Sequence, residues 1–99
     1  MGAMQRRKGS TEERSVVNFW RSCGVDPKEC LRVPLSGATE FAKADVRLKG
    51  LCGEVKVRAS GYKTIYDQLG DNDFLAIREN GRKRLYVVPE HIMRKLLLP

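Results

Sequence analysis

The sequence predicts a single small α/β or α+β domain in which one mixed β-sheet is covered by helices. Three observations carry this expectation. Apolar residues recur at helical spacing in three stretches, short apolar or alternating runs bounded by turn residues lie between them, and 99 residues are one domain's worth of chain. The predicted order is helix, three strands, helix, hairpin, helix.

Met1-Gly2-Ala3-Met4 reads as a tag remnant, and residues 5–9 as a short basic arm without apolar periodicity. Ser10 with Glu13 three residues on has the capping-box spacing. Val16, Val17, Phe19, Trp20 and Cys23 then follow at helical spacing until Gly24, which predicts a helix over 11–23. Asp26-Pro27 marks a connector, and 30–34 reads as a short strand closed by Pro34. The small polar Ser36-Gly37-Ala38-Thr39 is a loop by composition. Residues 44–48 and 53–58 alternate as strands around a Lys49-Gly50 turn, which predicts a hairpin. Tyr62, Ile65, Tyr66 and Leu69 recur at helical spacing up to Gly70. The runs 74–77 and 85–88 flank Asn80-Gly81, a strong hairpin signal because both turn residues of a type I′ turn take positive φ. Pro89 opens a last helix with Ile92, Met93, Leu96 and Leu97 on one side.

A 41% hydrophobic content with four prolines and nine glycines excludes disordered and collagen-like classes. Nineteen Lys and Arg against twelve Asp and Glu leave a net charge of +7, which favours a polyanionic partner, most simply nucleic acid. Cys23, Cys30 and Cys52 are odd in number and form no C-x-x-C, and His91 is the one histidine, so zinc-site and disulfide frameworks are both disfavoured. A reducing, cytoplasmic setting is expected, and no apolar run is long enough for a membrane span.

One cluster has the makings of chemistry. Residues i and i+2 of a strand share a face, so Glu54 and Lys56 project together, and the predicted hairpin brings Asp45 to the same end. Two carboxylates with a backbone carbonyl suit Mg²⁺, a hard cation that takes octahedral oxygen ligands. A lysine there can hold a water whose pKa the metal lowers, for attack on a phosphodiester. Glu-x-Lys on its own is also what a solvated strand face looks like.

Asp45 followed by Glu54-x-Lys56 resembles the PD-(D/E)XK nuclease motif, with Ala44 where a proline often stands. Lys8-Gly9-Ser10, Glu13-Arg14 and Arg32-Val33-Pro34-Leu35-Ser36-Gly37, in that order ahead of Asp45, make the chain similar to archaeal-type Holliday junction resolvases. The resemblance covers about residues 7–70 and implies a restriction-endonuclease-like fold. It implies a Mg²⁺-dependent endonuclease, Mn²⁺ substituting, that acts as a homodimer on branched DNA such as a four-way junction. Asp45, Glu54 and the Val55 carbonyl would hold the metal, and Lys56 would position water. Glu13 would be a further acid reaching the metal, with the capping box as its other reading. Ser36 would contact the scissile phosphate or be loop filler. Arg6, Arg7 and Lys8 would meet DNA phosphates as an arm or form a solubilising tail, and Arg32 and Lys63 would lie along the phosphate track. The alternative function is a catalytically silent nucleic-acid-binding module of the same fold. Arg82, Lys83 and Arg84 form a further basic patch beside the second hairpin turn.

Overall fold

A computed structural model describes residues 2–33 and 44–98, with the side chains of residues 2–8 outside that description. Its class is α+β, and the element order is the one expected from the sequence. The chain forms two compact units, one ending at Val57 and the other beginning at Arg58.

The first unit opens with α1 (Gly2–Ser22). Capping chemistry predicts a start near residue 11, but the helix already runs through the expected basic arm. Ala3, Met4, Gln5, Arg6, Arg7 and Lys8 are all good helix formers, and a polar helix shows no apolar period. Ser10 therefore sits inside the helix and does not cap it. The other end is closed by a Schellman motif. Val25 N donates to Trp20 O at 3.2 Å and Gly24 N to Arg21 O at 3.0 Å, with Gly24 at φ 93°. A 3-10 turn (Pro27–Glu29), capped by Asp26 Oδ1 accepting from Lys28 N at 2.8 Å, leads into β1 (Cys30–Arg32).

Strands β2 (Val46–Leu48) and β3 (Leu51–Gly53) complete an antiparallel sheet in the order β1-β2-β3. Register pairs Cys30 with Leu48, Arg32 with Val46, and Val46 with Gly53. The two-residue turn has φ 51° at Lys49 and 81° at Gly50, as a type I′ turn requires. α1 packs on β1, and Val17, Cys23, Val25, Cys30 and Val46 are buried there.

The second unit holds α2 (Lys63–Leu69), a hairpin of β4 (Leu75–Ile77) and β5 (Leu85–Val87), and α3 (Glu90–Leu97). Ile77 pairs with Leu85 and Leu75 with Val87. None of its described residues is buried. The turn differs from the type I′ expectation. Arg82 N donates to Glu79 O at 3.0 Å, and Gly81 alone has positive φ, 79°, as the third residue of a type II turn does.

The expected single mixed sheet is replaced by two antiparallel sheets. Parallel pairing needs a crossover between strands of one sheet. The α2 connection instead leads from β3 to β4, which pairs only with β5. Strand 53–58 is also shorter than expected, because the ladder stops at Gly53. Among the described residues, no helix is long and apolar enough to cross a membrane.

Candidate functional site at the β2–β3 hairpin

The hairpin register would set Asp45 opposite Glu54, one step beyond the Val46–Gly53 pair. The chain bends instead. Asp45 N donates to Gly53 O at 2.9 Å, one residue short of the regular partner. Its carboxylate Oδ2 then accepts from Val55 N at 2.9 Å. Asp45 thus ends the ladder with its own side chain, and this substitution explains why residues 54–58 leave the strand. On the other side Val33 N donates to Asp45 O at 2.9 Å, so both neighbouring segments hold its backbone.

This bond puts a half-buried carboxylate on the backbone of Glu54-Val55-Lys56. Glu54 Oε2 lies 3.8 Å from Lys56 Nζ, with side chains 59% and 63% exposed. An exposed pair at that separation contributes at most about 1 kcal/mol, so stability does not account for it. Asp45, Glu54, Val55 and Lys56 are therefore neighbours, as the sequence pattern predicts.

Glu13 is engaged elsewhere. Its Oε1 accepts from Arg32 Nε at 3.2 Å, and Arg32 Nη2 donates to Ser10 Oγ at 2.8 Å. The Glu13 side chain is only 17% exposed. One guanidinium thus ties two consecutive turns of α1 to β1. The capping-box reading of Glu13 and Ser10 is corrected: both serve as acceptors for a strand arginine. Arg32, expected on the phosphate track, has its Nε and Nη2 directed into the protein. Among the described residues no group of three His, Cys, Asp or Glu side chains is arranged to hold a metal.

Ser36 lies outside the described residues. Arg6, Arg7 and Lys8 fall on α1, with their side chains outside the description. Lys63 opens α2 in the second unit and bonds Asp67 Oδ2 one turn on. The Arg32 bridge is the contact that sequence reasoning missed. Its one signal is the three-residue spacing of Ser10 and Glu13, which marks a shared helix face as readily as a cap.

No protein-family model matches the chain, and no curated protein or solved structure matches it at a significant level.

Proposed function

We propose that the protein is a metal-dependent endonuclease that hydrolyses phosphodiester bonds in DNA, acting as a homodimer on branched substrates such as a four-way junction. The supporting observation is the bond from Val55 N–H to Asp45 Oδ2, which joins one carboxylate to the segment carrying the other carboxylate and the amine. The donor set fits a hard cation: Asp45 and Glu54 carboxylates and the Val55 carbonyl are all oxygen ligands, with waters completing the shell. Glu13 is not in that set, because Arg32 holds it. When bound, Mg²⁺ or Mn²⁺ would supply Lewis acidity and lower the pKa of a coordinated water.

The chain's own groups have separate tasks. Lys56 carries three donors and no acceptor, so its ammonium holds a water or a phosphate oxygen by that oxygen's lone pair and offsets charge developing there. Glu54 keeps the ammonium near the reacting position. The net charge of +7 draws the polyanion to the surface at a rate that falls with salt.

The test is cleavage of a labelled four-way junction and a linear duplex with Mg²⁺, Mn²⁺ or EDTA, for wild type and Lys56→Ala. The expected result is metal-dependent cutting that the variant loses while its binding stays within a few-fold. Wild-type protein that binds both DNAs and cuts neither with any metal would overturn the reading. It would favour the second one, a catalytically silent nucleic-acid-binding module. The Glu13–Arg32 pair and the lack of a three-ligand group among the described residues favour that alternative.

A further inference from the structure

The 78–84 loop of the second unit carries four Lys or Arg and one acid, Arg78-Glu79-Asn80-Gly81-Arg82-Lys83-Arg84. That concentration has a shape. An open groove of about 1060 Å³ runs along the β4–β5 hairpin, floored by Leu75, Ile77 and Leu85 and rimmed by Arg78, Arg82 and Lys83. Leu75, Ile77 and Leu85 share one face of the hairpin, since Ile77 pairs with Leu85 and strand side chains alternate. Leu85 is 61% exposed, so the floor is open to a ligand. Glu79 Oε2, 3.8 Å from Arg82 Nη1, holds that guanidinium at the turn.

A cationic rim over an aliphatic floor is complementary to a chain with phosphates on one side and apolar ring faces on the other. Duplex DNA buries its base faces in its own stack, and an acidic peptide has no repeating apolar face to offer. An unpaired DNA strand has both. We propose that this groove grips an unpaired DNA strand, its phosphates against Arg78, Arg82 and Lys83 and its sugars and bases against Leu75, Ile77 and Leu85. The proposal deepens the reading of the chain as a protein that acts on branched DNA, and it stands on binding alone.

The experiment measures binding of a labelled single strand and its duplex across a salt series, with the full chain. Arg78→Gln with Lys83→Gln should flatten the log–log salt slope for the single strand by about two, because each lost phosphate contact removes about one released counterion. The control, Arg94→Gln with Lys95→Gln on α3, removes equal charge and should change the slope by less than half as much. Leu85→Ser should weaken single-strand binding several-fold and leave the duplex unchanged, at unaltered melting temperature. Equal flattening by both charge pairs would overturn the proposal. So would an unchanged slope in the groove variant, indifference to Leu85→Ser, or equal competition by polyglutamate of matched charge. Cleavage is scored separately on the same proteins. Wild type that binds with this signature and never cuts keeps the groove and loses the nuclease. A cutting enzyme whose groove variant binds like wild type does the reverse.

Discussion

The Asp45 carboxylate accepts the Val55 N–H at 2.9 Å, so truncating it leaves a half-buried donor unpaired, at a cost of about 1–3 kcal/mol. Asp45→Ala should therefore lower the melting temperature by several degrees as well as abolish cleavage. Asp45→Asn keeps a side-chain oxygen in place. It should melt close to wild type while cleavage still collapses, and calorimetry beside the nuclease assay checks both. An Asn variant that melted as low as the Ala variant would show the charge, and not the acceptor, to be structural. Arg32 calls for a different measurement. A double-mutant cycle of Arg32→Ala and Glu13→Ala should give a coupling of about 1 kcal/mol, since a charge-assisted bond to a mostly buried carboxylate is stronger than an exposed pair. Additive losses would remove the tie. Asp45 beside Glu54-x-Lys56 was legible because a two-residue turn at Lys49-Gly50 sets which residues meet across a hairpin. The Glu13–Arg32–Ser10 contact was not, because an ion pair between a helix and a distant strand leaves no periodic mark.

Turns and caps decide where these short elements stop. Lys49 takes φ 51°, the one non-glycine residue with positive φ among those described, at the first position of a type I′ turn. Asparagine is preferred there, and it keeps the backbone N–H that donates to Glu29 O. Lys49→Asn should raise stability by about 0.5–1 kcal/mol, read as a higher melting temperature with unchanged far-UV spectrum. At the end of α1, Gly24 has open space around its α-carbon, so Gly24→Ala tests conformation without steric clash. The φ of 93° should cost the variant about 1–2 kcal/mol. The hairpin after α2 shows the limit of such reasoning. Asn80-Gly81 predicted a tight I′ turn, but the residues that pair last are Ile77 and Leu85. The four cations of 78–84 thus belong to a longer loop whose type II turn needs only Gly81 at positive φ. Dipeptide signals locate a turn better than they measure its loop.

The buried apolar side chains among the described residues all lie before Val57, on α1, β1, β2 and the segments joining them. Helices α2 and α3 bury no residue at all. Native-state hydrogen exchange should accordingly find its slowest amides in α1, β1 and β2, with β4, β5 and α3 opening at lower free energy. Equal protection of both halves would show that the second unit is stabilised by more than its own packing. Element order was readable because each type has its own hydrophobic period. Sheet membership was not, because three-residue strands carry no information about which distant edge they meet. Millimolar Mn²⁺ should raise the melting temperature of wild type and raise that of Asp45→Asn far less, since binding to the folded state alone shifts unfolding by mass action.

The three cysteines are unpaired, and they divide by position: Cys23 and Cys30 are 1% and 0% exposed, while Cys52 lies on the surface of β3. A thiol reagent added to the native protein meets one sulfur at once and the other two only when α1 parts from β1. The fast phase counts a single site, suited to attaching a dye beside the hairpin without mutation. The slow phase times the opening of the core. Because Cys30 Sγ also donates to the Asp26 carbonyl at 3.5 Å, its release requires the helix-to-strand connector to come apart too. The molecule therefore carries a surface handle and an internal clock in the same three sulfur atoms.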